Sequence, residues 1–395
     1  MIPRVDFVGG RHMLFNLCNC VAPSALAASY GPLCAGGAGF VSAMMATLAA
    51  SGRTQPAKTL KGEVPVVDWL AVRVVTDNVV VQFVPNETRE GLTIERKGGN
   101  THPDRPPRTV LNGEWGLAMH VESKRGAETR HLLIDFGYTP EVLLNNMEIL
   151  QTDPSLFDAM VLSHGHYDHF GGMVGFLKAR GRELKKKLPF YVGGEDIFCV
   201  RRNPGGQFGA LDRKAILDAD LSLMMAAEPA LVADHAFTTG RIGQHSFEKP
   251  LRATEEIVGI FDGFGCYPEQ MPAAKTTGQY IPDDFDHELA TVYMVKGRGL
   301  VVLTSCSHRG VINAVRQAMA AAGTSKVHAV LGGFHIVPPL GDDYIRNTIA
   351  EFKQIDPNYV IVGHCTGDRF YDLARAELGD KVIHSAVGTR FVFSS

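Results

Sequence analysis

The chain has 395 residues, of which 45% are hydrophobic, and its formal net charge is -3 with 15 histidines counted as neutral. This length and composition suit one large globular domain or two small ones, and the balanced charge excludes the basic footprint of a nucleic-acid-binding protein. Seven cysteines in so long a chain do not indicate a disulfide framework.

Residues 1–60 are predicted to be a leader or a disordered N-terminal extension. The segment 33–51 is apolar, small and uncharged, and Arg4 and Arg11 precede it, which is typical of a secretory signal peptide. Its glycine and alanine content makes it a weak membrane span. We therefore expect an exported, periplasmic protein with no stable membrane span in its mature form. An extension of a cytoplasmic protein is the alternative.

The remaining residues, 61–395, are predicted to form one domain, whose first half contains five strands and two helices. Apolar, β-branched or alternating runs predict the strands, and apolar positions spaced three or four apart predict the helices. The predicted strands are 66–75, 115–122, 131–135, 157–163 and 188–192, and the predicted helices are 139–150 and 173–180.

The second half of the domain is predicted to begin with an irregular or helical lid or insertion at 203–270. A hairpin, two helices and three strand-like segments follow it. The hairpin pairs 289–295 with 299–304, the helices are 311–322 and 343–354, and the strand-like segments are 327–331, 359–362 and 382–393. Hairpins and repeated strand–helix alternation favour two mixed sheets packed face to face with helices outside.

Three histidines and an aspartate lie within six residues, directly after the predicted strand 157–163. In an extended segment, residues two apart point to the same side, so His164 and His166 can be directed at one point. Asp168 and His169 can be directed at a second point as the chain turns into a helix. Imidazole and carboxylate are ligands of Zn²⁺, Mn²⁺ and Fe²⁺. Four satisfied polar residues in a loop are the alternative, but packing gives no reason to concentrate them there.

The segment 162–172 resembles the H-x-H-x-D-H motif of the metallo-β-lactamase superfamily. The segments 304–311 (TSCSHRGV), 331–335 (LGGFH) and 363–367 (GHCTG) look like those of a subgroup named after a dihydropterin–ribofuranosylaminobenzene phosphate synthase. The resemblance extends from about residue 66 to the C-terminus. It implies an α/β fold, an αββα sandwich of two mixed sheets flanked by helices, with a one- or two-metal site at the strand ends.

The resemblance also assigns candidate ligands for two divalent metal ions, with zinc favoured and manganese or iron as alternatives. His164 and His166 match the first-metal pair, Asp168 and His169 the second-metal pair, and His364 the last ligand of the second metal. His308 is taken as the remaining ligand. It lies near where many members carry a bridging aspartate, in which case the third first-metal histidine would lie upstream, near His287.

Several other residues keep two interpretations. His335 is a catalytic, substrate-binding or ligand candidate, and Cys306 and Cys365 are either soft ligands or small buried fillers. Asp135 either orients a histidine ligand or caps a turn. The acidic cluster 283–288 is interpreted as a solvated loop rather than a metal site. The subgroup's T-G-x-I-P-R motif has lost its proline and arginine at 239–244.

The expected activity is that of a metal-dependent hydrolase, in which a metal-bound hydroxide attacks an ester-like small-molecule substrate. Phosphoesters, lactones and thioesters are all candidates, because one fold hosts many chemistries. Asp168 is expected to hold metal and orient the nucleophile. One alternative is a metal-dependent transferase or synthase resembling the subgroup's name-giving enzyme. Another is a non-catalytic, metal-dependent ligand-binding protein.

Overall fold

Two large sheets and the helices outside them make up the fold in the computed structural model, which describes residues 54–97 and 109–395. The strands, in chain order, are β1 (Thr54–Pro56), β2 (Val66–Val67), β3 (Trp69–Thr76), β4 (Glu87–Arg89), β5 (Leu92–Arg96), β6 (Ala118–Arg125), β7 (Glu128–Ile134), β8 (Ala159–Val161), β9 (Pro189–Val192), β10 (Val200–Asn203), β11 (Gly206–Gly209), β12 (Ser222–Met225), β13 (Ala230–Val232), β14 (Ala236–Thr238), β15 (Glu255–Ile257), β16 (Gly259–Phe261), β17 (Phe264–Cys266), β18 (Ile281–Pro282), β19 (Thr291–Val295), β20 (Gly299–Leu303), β21 (Val327–Gly332), β22 (Tyr359–Val362), β23 (Val382–His384) and β24 (Thr389–Ser394). The helices are α1 (Pro140–Leu150), α2 (Tyr167–Phe170), α3 (Met173–Arg180), α4 (Arg213–Asp218), α5 (Val311–Ala322), α6 (Asp342–Ile355) and α7 (Asp368–Leu378).

The two large sheets are both mixed. The first has ten strands in the order β1-β12-β9-β8-β7-β6-β3-β24-β5-β4. The second has eight, in the order β13-β14-β19-β20-β21-β22-β23 with β2 beside β19. A small sheet of β11-β10-β15-β18 and the hairpin β16–β17 lie apart from these two sheets.

The apolar residues divide into three main layers. A core shared by the two large sheets includes Val121 and Val161 from the first and Val301 and Ile361 from the second. On the outer face of the first sheet, α1 and α3 pack through an apolar cluster, and α5, α6 and α7 pack on the second sheet in the same way. This is the predicted αββα sandwich, and the prediction of the fold class is confirmed.

Most predicted elements have the expected position. Helices α3 and α5 and strand β22 have the predicted bounds, and α1 begins one residue later because Thr139 is its N-cap. The hairpin β19–β20 is antiparallel as predicted. Helix α7 and the pair β4–β5 were not predicted.

Part of the segment 203–270, predicted as a lid or insertion, belongs to the two large sheets. Strand β12 lies inside the ten-stranded sheet, and β13 and β14 belong to the eight-stranded sheet. Only β10–β11, β15 and the hairpin β16–β17 stand outside the sandwich. Strands of three or four residues show too little periodicity to be predicted. The sequence therefore predicts a helical or irregular segment here.

The predicted leader is described only in its last residues. Strand β1 pairs in parallel with β12, and Leu60 donates its backbone N–H to Pro229, so residues 54–60 are part of the sheet structure. Residues 1–53 lie outside the described residues, and their assignment as a leader remains a prediction. In the described ranges, no helix combines the length and apolar character that a bilayer span requires.

One disulfide, which the sequence analysis did not predict, joins Cys199 to Cys266. Cys199 directly precedes β10, and Cys266 ends β17. The bond therefore ties the small sheet to the β16–β17 hairpin. Both side chains are buried among apolar residues.

Candidate metal centre

The candidate ligands meet where neighbouring strands of the two sheets end. Strands β20, β21 and β22 run parallel, so their carboxyl ends share one edge of the sheet. The loops after them carry His308, His335 and His364. The segment 164–169 follows β8 of the other sheet, and the backbone N–H of Leu289 donates to Ser163 across the sandwich.

The first set of side chains, here called the imidazole group, consists of His164, His166 and His308. One ring nitrogen of each lies within 4.8 Å of the others. All three Nε2 atoms are buried and have no hydrogen-bond partner. Burial lowers the pKa of all three imidazoles, that of His166 to about 3, so the rings are neutral. Three neutral imidazoles with unused, converging nitrogens form a set that a metal ion would satisfy.

The rings of the imidazole group are held from behind. Ser163 Oγ donates to Asp135 at 2.8 Å and lies 3.0 Å from His164 Nδ1, which leaves His164 Nε2 for the site. The ring of His308 stacks on Phe285 with 4.1 Å between the centroids. Hydrogen bonding therefore fixes the ring of His164, and stacking fixes the ring of His308.

The second set, here called the mixed group, consists of Asp168, His169, Cys306 and His364. Its donor atoms also lie within 4.8 Å of one another. His169 Nε2 lies 3.1 Å from His364 Nε2 and 3.2 Å from Cys306 Sγ, and Asp168 Oδ2 lies 3.3 Å from His364 Nε2. Two imidazoles, a carboxylate and a thiol thus converge on one point, as ligands of a divalent cation do.

The mixed group combines a carboxylate and an imidazole that hold each other in their charged forms. Burial would raise the pKa of Asp168, but His169 and His364 hold it well below its usual range, so this carboxyl is ionised. Burial would likewise lower the pKa of His169, but Asp168 and Asp135 raise it to about 10. The imidazole of His169 therefore lies in surroundings that favour a cation.

Asp135 contacts both groups. One of its oxygens, Oδ2, accepts from Ser163 Oγ behind His164 and lies 2.8 Å from His169 Nδ1. Its other oxygen accepts the backbone N–H of Ser163 at 2.8 Å. With a proton on its Nδ1, His169 presents Nε2 to the mixed group. Of the two interpretations given above, the contacts support the one in which Asp135 orients histidines.

Several residues at the site have left-handed backbone, which side chains other than glycine seldom adopt. The φ angles are 59° at Asp135, 61° at Ser307, 47° at His335 and 50° at His364. The backbone N–H of His364 donates to Asp77 at 2.9 Å, which helps to fix this conformation. Such strain persists where the surrounding contacts over-determine it, and it commonly clusters at functional sites.

His287 does not belong to the imidazole group, although the region around it was one predicted source of a ligand. Its Nε2 accepts the backbone N–H of Gly165 at 3.0 Å, and its Nδ1 faces Asp196 and Arg201. A Cβ on Gly165 would lie 2.7 Å from Arg201 Nη1, so only glycine fits between the two histidines of the motif. The third histidine of this group is therefore His308.

The acidic cluster 283–288 is not the solvated loop that was predicted. Asp283 pairs with Arg201 at 2.7 Å, and both side chains are completely buried. Glu288 is also buried, and its two oxygens accept the backbone N–H groups of His308 and Arg309 at 2.7 Å each. Buried carboxyl groups thus support the loops that carry the candidate ligands. Their partners, Arg201 and the backbone of His308 and Arg309, could not be predicted from the sequence.

His335 lies at the rim of both groups. Its ring centroid is 4.1 Å from that of His308, and its Nδ1 is buried without a partner. His335 also forms a cluster with Cys306 and Cys365, whose sulfur atoms are 3.3 Å apart. The sequence leaves two roles open for Cys306, a soft ligand or a small buried filler, and its contact with His169 favours the ligand. Its position two residues before His308, at the same strand end, is the signal that favours the ligand interpretation.

The site opens into a cavity of about 540 Å³. His166, Asp168, Cys306, His308 and His335 all line it. Aromatic side chains form much of the remaining wall, namely those of Trp115, Tyr138, Tyr167 and Phe208. A small molecule in this cavity would therefore contact residues of both groups.

Sequence comparison supports the resemblance on which the ligands were assigned. The sequence model of the metallo-beta-lactamase superfamily matches residues 124–182, which include the histidine motif. The chain is 27% identical over 263 residues, 64% of its length and 81% of the relative's, to a 7,8-dihydropterin-6-methyl-4-(beta-D-ribofuranosyl)-aminobenzene-5'-phosphate synthase of Methanocaldococcus jannaschii. It is 24% identical over 262 residues, 66% of its length and 87% of the relative's, to an uncharacterized protein of the same organism.

Structural comparison supports the fold. The crystal structure of a metal-dependent hydrolase of the beta-lactamase superfamily superposes with a TM-score of 0.57 and 20% sequence identity. The match covers 81% of this chain and 98% of that one. The chain has the metallo-β-lactamase fold, and the resemblance to the superfamily and to the synthase subgroup is confirmed.

Proposed function

We propose that this protein is a metallo-hydrolase that holds two divalent metal ions, with zinc as the preferred ion. The observation that carries the proposal is the imidazole group, in which three buried Nε2 atoms face one another without hydrogen-bond partners. An all-imidazole set suits zinc, and a set with a thiol and a carboxylate suits zinc better than magnesium or calcium. The two groups adjoin, because the ring centroids of His164 and His169 are 4.2 Å apart.

A bound divalent ion would supply Lewis acidity, which polarises a carbonyl or phosphoryl oxygen and makes a water ligand acidic near neutral pH. The protein's own residues would position the reaction. The ionised carboxylate of Asp168 lines the cavity and can accept a hydrogen bond from an attacking water. His335, which lines the cavity beside His308, can bind the substrate or donate a proton to the leaving group through its unpartnered Nδ1.

A synthase activity is the second candidate, and the similarity to the Methanocaldococcus jannaschii enzyme favours it. In that case the same ligand groups would stabilise a leaving group during a condensation. A non-catalytic, metal-dependent ligand-binding protein is the third candidate. The open cavity beside the ligands would then hold a molecule without changing it.

Metal analysis together with a substrate panel tests the proposal. Purified protein should contain close to two equivalents of transition metal and should hydrolyse at least one lactone, thioester, carboxylic ester or phosphoester. His166→Ala should lower kcat/KM by more than the roughly 100-fold that loss of an outer partner of a ligand costs. His245→Ala is a matched control, because His245 is exposed and its ring contacts Gln317 on α5, while its backbone bonds to Asn313 and Arg316 do not need the ring.

Metal content and turnover together separate the candidate functions. Absence of stoichiometric metal would contradict both the hydrolase and the synthase. Two equivalents of metal without turnover of any ester would contradict the hydrolase alone. Equal activity in His166→Ala and the wild type would remove the imidazole group from the chemistry.

We further propose that the protein is exported. The disulfide between Cys199 and Cys266 supports this proposal, because disulfides persist in oxidising compartments and are rare in the cytosol. N-terminal sequencing of the native protein is the test. A start within or after the apolar segment 33–51 is expected, and an intact Met1 would contradict cleavage.

A further inference from the structure

We propose that the substrate is an uncharged carboxylic ester, lactone or thioester with a long apolar substituent, and that this substituent lies in a groove beside the metal centre. The inference rests on the proposed hydrolase function and names the class of substrate for that site. Three features of the described residues carry it: the aromatic wall of the cavity, an apolar groove that adjoins the cavity, and the charge of both.

The wall of the cavity is more aromatic than a polar substrate requires. Trp115 and Tyr138 are 52% and 43% exposed, although both line the cavity. The rings of Tyr138 and Tyr167 meet edge to face with 4.9 Å between the centroids. Large aromatic rings left open beside a polar centre provide a surface that an apolar ligand can cover.

A second cavity of about 630 Å³, here called the apolar groove, adjoins the first. Tyr167 and Phe208 line both cavities and so form their common boundary. The apolar groove is lined further by Phe170, Val200, Ile257, Phe261 and Phe264. A long substituent attached to a carbonyl at the ligands would reach these apolar surroundings once it passes Phe208.

The apolar groove exposes apolar surface that the fold does not cover. Phe261 and Phe264, which pair across the β16–β17 hairpin and line the groove, are each 44% exposed. Adjacent exposed apolar side chains are uncommon on a soluble protein unless they bind something. Their position in a groove next to the catalytic cavity favours the substrate itself as the occupant over a separate partner.

Outside the ligand groups, the charge of the described cavity walls disfavours a phosphate-bearing substrate. Among the described residues, no lysine or arginine lines either cavity, whereas Asp168 and Asp262 line the first and the second. Phosphate groups are usually bound by arginine or lysine. Nearby cations are otherwise engaged: Arg201 is buried against Asp283, and Arg202 pairs with Glu255 at 2.7 Å.

The segment that departs from the subgroup's T-G-x-I-P-R motif agrees with this view. Residues 239–244 line neither cavity, and Gln244 stands where the motif has arginine. Thr239 instead exchanges backbone and side-chain hydrogen bonds with Ala290. The cationic side chain of this segment, Arg241, pairs with Asp286 at 3.0 Å and lines neither cavity, so it is not placed to bind an anionic substrate there.

A series of p-nitrophenyl esters from acetate to decanoate, compared with bis(p-nitrophenyl) phosphate, tests the inference on the full-length, metal-loaded protein. We expect kcat/KM to rise by up to about fourfold for each added methylene until the apolar groove is filled. Turnover of the phosphodiester should be the slowest. Phe261→Ala should reduce the ratio of decanoate to acetate turnover. Phe247→Ala, which removes a ring packed on Tyr344 outside both cavities, should leave that ratio unchanged.

Binding of the neutral amides acetamide and decanamide, measured by calorimetry, provides a readout that does not depend on turnover. Tight binding of decanamide that Phe261→Ala weakens supports the groove even if no ester is hydrolysed, and it is then the hydrolase that fails. A flat ester series, a preference for the phosphodiester, or decanamide binding no tighter than acetamide binding would overturn the inference. In the first two cases the hydrolase stands.

Discussion

The imidazole group and the mixed group of the metal centre differ in what their donor atoms face. The three Nε2 atoms of the imidazole group have no partner, and their rings are neutral. The donor atoms of the mixed group already contact one another, and they include an ionised carboxylate and a thiol. Geometry alone would favour an ion at the imidazole group, whereas the ionised carboxylate of Asp168 also favours one at the mixed group.

The two groups nevertheless share one support. Asp135 is completely buried and reaches His164 through Ser163 and His169 directly. A change at Asp135 should therefore affect both groups, whereas a change at a ligand should affect mainly its own. Three substitutions test whether the two groups respond together or separately.

The largest effect is expected for Asp135→Asn. The amide keeps the shape of the carboxylate but loses the charge that orients the two histidines, so kcat/KM should fall by about 10- to 100-fold. Metal content should fall at both groups. Asp153→Asn is the control, because Asp153 caps the short helix Pro154–Leu156 through Ser155. If Asp135→Asn loses only one equivalent of metal, the two groups are not coupled through Asp135.

The positions of the candidate ligands could be predicted from the sequence, and their role as ligands stays a prediction. Strand β8 and the motif directly after it place His164 and His166 at one strand end, and the correct bounds of α5 and β22 locate the loops of His308 and His364. Parallel pairing of β20, β21 and β22 brings those loops together. The local pattern predicts where the loops lie, whereas the choice of His308 and His364 came from the family resemblance.

The supports of the site could not be predicted in the same way. Glu288 and Asp283 appeared to belong to a solvated acidic loop, since their partners His308 and Arg201 are 20 and 82 residues away. Left-handed backbone at His335 and His364 has no signature in residue type. The walls of the apolar groove come from strands too short to show a period. Long-range contacts, rather than propensity, fix all of these features.

Replacement of Cys306 by serine tests whether the mixed group owes its affinity to the thiol. An oxygen is a poorer ligand for zinc or cobalt than sulfur, so Cys306→Ser should weaken binding at this group by about tenfold, at the lower end of the range for altered metal surroundings. Cobalt-loaded wild type should show a thiolate-to-cobalt charge-transfer band that Cys306→Ser lacks. Cys365→Ser is the matched control, because its sulfur is 3.3 Å from Cys306 Sγ but lies outside the mixed group. If the band survives in Cys306→Ser and disappears in Cys365→Ser, then Cys365 and not Cys306 is the thiolate ligand.

Glu248→Gln is expected to have the smallest effect on catalysis but a clear effect on stability. Glu248 contacts the start of α5, the helix that follows the loop of His308. Glu248 is buried and accepts the backbone N–H groups of Ile312 and Asn313 at the start of α5. Burial raises its pKa from 4.5 to about 7. The folded protein therefore holds this proton more tightly than the unfolded chain does. The stability that the proton contributes is complete below pH 4.5 and is lost as the pH rises through 7.

Relative to Glu248→Gln, the free energy of unfolding of the wild type should therefore fall by roughly 3 kcal/mol between pH 4.5 and 7.5, as the shifted pKa requires. Denaturant unfolding of both proteins across this range measures it. Glutamine keeps an oxygen acceptor for the helix, so metal content and turnover should change little. A difference that is constant with pH would mean that folding does not raise the pKa of Glu248. A loss of metal at the imidazole group would show instead that the charge at the start of α5 also holds His308 in place.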